Sequence, residues 1–231
     1  DEDLTNGFVP EKSDEYFETF VSEIDEGLTD ILLSYAKENK IEMDLLFFLL
    51  FGRSLCQLLK LPSVWIGREL NGRTEHPDEI QLNQTVGWLT SIHPVKIVDF
   101  SELQEFVSMN QFEVEKISSI GFSYQLLNKG YKTPTISYNY LGDLPDEFDL
   151  ASLSKVSDIN QLDFFDEIAL NVGKRGETLT CIFLVKEKNY NLASQLVNAI
   201  KESIQLLTES STTNIFGIST NTLVELNDLF L

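Results

Sequence analysis

The sequence predicts a mixed α+β domain, and three observations carry that expectation. Helical periodicity runs through residues 26–59 and returns at 191–207; apolar strand-like runs occur at 64–66, 85–98, 135–141 and 165–186; no internal repeat is present. With 42% hydrophobic and 11% aromatic residues, the 231-residue chain has ample material for a core, which excludes wholesale disorder. That length suits one large domain or two small ones.

Residues 1–13 are polar, contain Gly7 and Pro10, and read as a linker. Residues 15–22 fit two readings: Phe17, Val21 and Ile24 have helical spacing, whereas the aromatic and β-branched content favours a strand. From Asp25, the positions of Leu28, Ile31, Leu32 and Tyr35 predict an amphipathic helix ending near Asn39. Glu42 to Leu59 predicts a second helix, apolar nearly all round and therefore buried, stopped by Pro62. A short strand is expected at Val64–Ile66, then a polar loop over 70–84, then a strand from Thr85 to Val98 broken at Pro94. Ser101 is the expected cap of a helix reaching about Phe112. Thr135 to Leu141 reads as a strand between Pro134 and Gly142, and 143–163 as an acidic loop. Phe165–Val172 and Thr178–Lys186 predict a hairpin around Gly173-Lys174-Arg175-Gly176. A final amphipathic helix is expected over Asn191–Leu207, followed by a Ser/Thr-rich joint and an apolar tail.

The formal net charge of −20 argues against nucleic acid or an anionic bilayer as partner, because such a surface cannot neutralise phosphates. The charge is concentrated. Residues 1–30 carry 11 acids and one Lys, and residues 143–167 carry eight acids and one Lys. The rest of the chain is nearly neutral, so the acid reads as solvated surface or linker.

Cys56 and Cys181 both fall in apolar runs and read as small core residues, with no disulfide framework and a reducing, cytoplasmic setting expected. The Asn83-Gln84-Thr85 sequon has no supporting sign of secretion. The apolar run from Leu45 to Phe51 is far short of a membrane span. No phosphate loop, dinucleotide fingerprint or nucleophile elbow occurs, and the two histidines, His76 and His93, have no cysteine partners at zinc spacing, so no metal is expected. His76 reads as exposed in a loop, and His93, before Pro94, as a surface or turn residue.

Four stretches, in order, resemble a known family. Gly67-Arg68-Glu69-Leu70-Asn71-Gly72-Arg73 resembles a Glu-Gly-His-Gly-Arg segment, keeping Glu69, Gly72 and Arg73 but departing at Leu70 and Asn71. Thr85-Val86-Gly87-Trp88-Leu89-Thr90-Ser91, followed by Pro94-Val95, is similar to Thr-Val-Gly-Trp-Phe-Thr-Ser…Pro-Val, with Leu89 for Phe. Gly121-Phe122-Ser123-Tyr124 resembles Gly-x-Gly-Tyr-Gly with Ser123 for a glycine, and Tyr138-Asn139-Tyr140-Leu141-Gly142 resembles Phe-Asn-Tyr-Leu-Gly. These are motifs of the epimerization and condensation domains of nonribosomal peptide synthetases, and the resemblance covers about residues 15–230.

The resemblance implies a two-lobed fold like chloramphenicol acetyltransferase. The family's His-His-x-x-x-Asp-Gly motif lies in the N-terminal lobe and is absent here, so the chain looks like a C-terminal lobe alone. The expected organisation is 1–13 as a linker remnant from the N-terminal lobe, 14–209 as the lobe, and 210–231 as exit linker and tail. The implied activity is L-to-D inversion of an aminoacyl or peptidyl thioester held on the phosphopantetheine arm of a carrier protein, with no turnover by this lobe alone. A peptide-bond-forming condensation lobe and a non-catalytic carrier-docking module are the alternatives. By the same resemblance Glu69 and Tyr140 are the candidate catalytic residues, and Asn139 and Trp88 the candidate substrate-binding ones. Glu69 would exchange the α-proton, Tyr140 donate to the enolate, and Asn139 orient the thioester carbonyl. No cofactor is expected to bind directly. The implied partners are a peptidyl carrier protein, the missing N-terminal lobe and neighbouring synthetase domains. A lone lobe is also expected to expose an apolar inter-lobe patch around Trp88 and Tyr140 and to self-associate through it.

A salt bridge of Glu69 with Arg68 or Arg73 at the strand end is the purely structural reading of that segment.

Overall fold

Among the described residues, alternating apolar positions in six short segments build one sheet, and four amphipathic or apolar helices pack on it. The computed structural model describes residues 3–8, 17–70, 84–87, 90–118, 134–145 and 167–210, and elements are numbered within these. The strands are β1 (Phe17–Ile24), β2 (Ser63–Leu70), β3 (Ser91–Val98), β4 (Ile136–Asp143), β5 (Ile168–Arg175) and β6 (Thr178–Lys186). They lie in the order β1-β6-β5-β4-β2-β3. The sheet is mixed: β2–β4 and β4–β5 are parallel, and the other three pairings are antiparallel. The described part of segment 15–22, from Phe17 on, thus resolves as strand, because β1 pairs along its whole length with β6, from Phe17–Lys186 to Ile24–Leu179.

The helices are α1 (Glu26–Asn39), α2 (Met43–Leu59), α3 (Leu103–Ser118) and α4 (Tyr190–Ser210). Asp25 caps α1 by accepting from the Leu28 N–H at 3.1 Å. Leu45 through Cys56 of α2 are all buried, because this helix lies on β2 and β3 with α1, α3 and α4 around it. Gly52 permits that approach: a Cβ there would sit 2.8 Å from Ile97 on β3. The core joins α2 to the sheet residues Val64, Ile66, Val95, Ile97, Ile136, Leu170, Val172, Cys181 and Phe183. Burial pushes both cysteine thiols up to about 12, which suits core residues and not nucleophiles.

Several boundaries differ from the sequence expectation, each for a physical reason. Strand β2 runs to Leu70, beyond Ile66, because β3 and β4 flank it. Strand β3 begins at Ser91 and passes through Pro94 unbroken; β3 is an edge strand among the described residues, where a proline without N–H is tolerated. Helix α3 continues to Ser118, and its first turn closes on the Glu102 carbonyl, which accepts from Phe106, one residue past Ser101. The hairpin turn falls at Gly176-Glu177, so Gly173, Lys174 and Arg175 remain in β5. The 143–163 acidic loop, apart from its first residues, and the tail from 211 lie outside the described residues.

Part of the segment read as linker is docked on the sheet. The Asn6 side chain bridges Trp65, donating to its carbonyl and accepting from its N–H, both at 2.7 Å, and Thr135 donates to the Thr5 carbonyl at 2.9 Å. Asn6 thus occupies the β2 hydrogen-bonding groups at Trp65, ahead of the β2–β4 pairing at Gly67–Ser137.

Candidate functional site

The three candidate residues among the described ones, Glu69, Asn139 and Tyr140, do not share one face of the sheet. Successive residues of a strand point to opposite faces. On β4, Tyr138 faces the helices, fully buried among Phe47, Phe48 and Phe51 of α2, with ring centroids 5.1–6.4 Å away. Asn139 therefore faces away, and its amide donates to Asn171 on β5 at 3.3 Å. Tyr140 returns to the helix side, half-buried against the core. On β2, Arg68 reaches α2, so Glu69 faces away, half-buried, on the same face as Asn139. The parallel register of Arg68 with Tyr138 sets Glu69 and Asn139 on neighbouring strands at the same level. Trp88 lies outside the described residues, as do Arg73 and the 121–124 stretch, and so does His76.

Tyr140 is thus separated from Glu69 by the sheet. Its phenol is raised by burial and by the carboxylates of Asp143 and Asp44, so it stays neutral as a hydrogen-bond donor at physiological pH. The strand kinks just after it, where the register shifts between Tyr140 and Gly142, and Gly142 takes φ +76°. Leu141 beside this bend is 40% exposed, and Val86, in the β2–β3 connection, is fully exposed.

Beneath Glu69, on the helix side, lies a polar row that sequence reasoning did not foresee. Arg68 Nη2 donates to Asp44 Oδ2 at 2.7 Å, and the Tyr138 hydroxyl donates to Asp44 Oδ1 at 2.8 Å. Asp44 sits in the first turn of α2, where the helix dipole favours an anion. Arg68 also lies over the Phe48 ring at 5.2 Å. The sequence signal was the period-2 run Val64, Ile66, Arg68, which sets a guanidinium on the core face and so demands a buried acceptor. Arg68 is engaged on the helix side, not with Glu69.

His93 completes the row from β3, opposite Arg68. It is 1% exposed and its Nε2 lies 2.9 Å from Ser91 Oγ, which corrects the surface or turn expectation. The correction follows from the unbroken strand: with Pro94 inside β3, His93 alternates onto the core face. Burial, and then the charge of Arg68, lower its pKa, so it is neutral at pH 7. The unfolded chain binds a proton here more readily, with an ordinary pKa of about 6.5. Stability from this group is therefore complete above that pH and declines as pH falls below it. Urea midpoints of wild type and His93→Gln should diverge between about pH 7 and pH 5, wild type losing more; parallel curves would refute this.

Among the described residues, no group of three His, Cys, Asp or Glu could hold a metal, and no helix is long and apolar enough to cross a membrane.

This arrangement of sheet and helices has solved counterparts. The epimerization domain from the third module of tyrocidine synthetase B superposes with a TM-score of 0.69 at 18% identity, covering 84% of this chain and 48% of that one. The condensation domain from monacolin K polyketide synthase gives 0.64 at 9% identity, covering 88% and 49%. This is the fold of epimerization and condensation domains. It has the chloramphenicol-acetyltransferase-like architecture expected from the motifs, and the chain spans about half of each solved domain. The curated relatives are peptide synthetases. Bacitracin synthase 2 of Bacillus licheniformis is 28% identical over 157 residues, 60% of this chain and 6% of that protein. Tyrocidine synthase 1 of Brevibacillus parabrevis is 27% identical over 129 residues, 49% and 12%. Surfactin synthase subunit 2 of Bacillus subtilis (strain 168) is 27% identical over 159 residues, 64% and 4%. The chain therefore spans only a small share of these relatives. No protein-family model matches it.

Proposed function

We propose that this chain is the C-terminal lobe of a nonribosomal peptide synthetase epimerization domain, which inverts the α-carbon of an aminoacyl or peptidyl thioester and is inactive without its N-terminal lobe. The observation that carries the reading is the placing of Glu69 beside Asn139 on one face of the sheet, with the Glu69 strand anchored from behind. Inversion removes a proton from one side of the α-carbon and returns one to the other, so it needs two acid–base groups and a donor for the enolate. In this reading Glu69 is one acid–base group, and Asn139 supplies an amide that can hold the thioester carbonyl. The second group comes from the N-terminal lobe. Trp88 is proposed to line the substrate at the junction of the lobes. Tyr140, within β4 on the helix side, is proposed to act as a neutral donor. The phosphopantetheine arm belongs to the carrier protein and delivers the thioester; carrier, N-terminal lobe and adjoining synthetase domains are the proposed partners, and the cytoplasm the proposed site.

The experiment is deuterium wash-in at the α-carbon of a carrier-bound L-aminoacyl thioester, run on the complete domain and on the 231-residue chain. Exchange by the complete domain and none by the chain is expected. Dipeptide formation without exchange would overturn the epimerization reading in favour of a condensation lobe, whose fold is shared. Exchange by the chain alone would refute its dependence on the second lobe. Carrier binding by a complete domain that shows neither reaction would favour a non-catalytic docking module.

A further inference from the structure

Arg68 holds a charge where β2 otherwise buries apolar side chains. Its side chain is 8% exposed, it has one charged partner in Asp44, and its Nε makes no hydrogen bond among the described residues. The other groups facing it are uncharged near neutral pH: Tyr138 and Tyr140 are both held protonated, and His93 is held neutral. On the opposite face Glu69 pairs with Ile92 on β3, and Asn139 on β4 lies one residue past the Arg68–Tyr138 pair. Lys96, further along β3, lies over the Trp65 ring at 5.6 Å. Asp143 stands at the far end of β4.

We propose that Asp44 and Arg68 are positioning residues that set the protonation range of Glu69 through the sheet, Asp44 cancelling a guanidinium that would otherwise draw the proton off Glu69. The inference rests on Glu69 being the acid–base group. Arg68 and Glu69 are adjacent in sequence, so a bare guanidinium would act on Glu69 across the strand alone, in a medium that screens less than water. With Asp44 ionised against it, the two charges act on Glu69 as a dipole and largely cancel. The same ion pair ties the end of β2 to the first turn of α2, holding Glu69 at the level of Asn139.

The test is the titration of the Glu69 side-chain carboxyl by carbon-13 NMR in the 231-residue chain, its resonance assigned by loss in Glu69→Gln. Asp44→Asn should lower the Glu69 pKa by about one unit, leaving Arg68 uncompensated. Arg68→Met should raise it, and Asp44→Asn with Arg68→Met should return it close to wild type. A purely structural pair would give no such opposed shifts. In the complete domain, the corresponding limb of the pH–rate profile for deuterium wash-in should move in the same directions, with KM little changed. If Asp44→Asn fails to fold, Arg68→Met and the double variant, which lack a buried unpaired cation, decide the matter. A Glu69 pKa that is the same in every folded variant overturns the proposal. Wash-in undiminished in Glu69→Gln would instead remove Glu69 from the chemistry and leave the NMR result standing.

Discussion

Lys186→Met should lower the unfolding free energy by about 3–5 kcal/mol, the cost expected when one partner of a buried ion pair is removed. The Glu167 side chain is fully buried, and Lys186 Nζ lies 2.6 Å from its Oε1 with only 4% of the lysine side chain exposed. Glu167 Oε2 accepts from Asn189 Nδ2 at 3.0 Å and faces Lys188 Nζ at 3.1 Å. Both carboxylate oxygens are therefore satisfied only while this cluster is whole. The backbone ties the same point down: the Glu167 N–H donates to the Thr135 carbonyl, and the Lys186 N–H to the Glu167 carbonyl. The cluster thus fixes where β4 and β5 start, and with them the register that levels Asn139 with Asn171.

Methionine fills the space of the lysine stem but leaves the carboxylate with Asn189 and a Lys188 that is 46% exposed and weakened by solvent. The loss should therefore fall toward the lower end of the range. In a thermal melt it corresponds to a fall of roughly 10 °C for a domain of this size. Pairing Lys186→Met with Glu167→Gln should recover much of the loss, because no bare charge then remains buried. A single variant within about 1 kcal/mol of wild type would refute the account.

The layers of this fold could be read from the sequence where burial is monotonous. Helix α2 is apolar on every side because it is surrounded, and its pattern gave both its limits and its depth. Strand alternation likewise separates Asn139 from Tyr138 and Tyr140 by residue order alone. What the sequence could not carry was adjacency between distant segments. Pro94 looks like a strand break until β3 is seen at an edge, and His93 looks exposed until that strand runs on. Asp44 meets Arg68 24 residues away and Tyr138 94 residues away, distances at which no spacing rule operates. The motifs proposed Glu69, Asn139 and Tyr140 as one group. The pleat divides them, because residues 138 and 140 share a face that 139 does not.

In the complete domain, Glu69→Gln should reduce deuterium wash-in by about 10²–10⁴-fold, the usual contribution of one positioned acid–base group. That is about 3–5 kcal/mol of barrier at 1.36 kcal/mol per decade. Glutamine has the shape of glutamate and keeps a polar end beside Asn139, but it cannot take or return a proton. The fold should be indifferent to the change: Glu69 is half-buried, one residue from the end of β2, and the strand is held from the other side by Arg68 and Asp44. A matched thermal melt therefore separates lost chemistry from lost structure. The effect should appear in kcat with KM little altered, because the amide still occupies the carboxyl's place and only the proton transfer is gone. Asp44→Asn is the contrasting variant, since it keeps the carboxyl of Glu69 and changes only the charge behind it. Full wash-in by Glu69→Gln would show that neither proton moves through Glu69, and loss of nothing further in Tyr140→Phe would place both transfers outside this lobe. The lobe would then contribute binding alone, which is the condition under which a carrier-docking module becomes the better description.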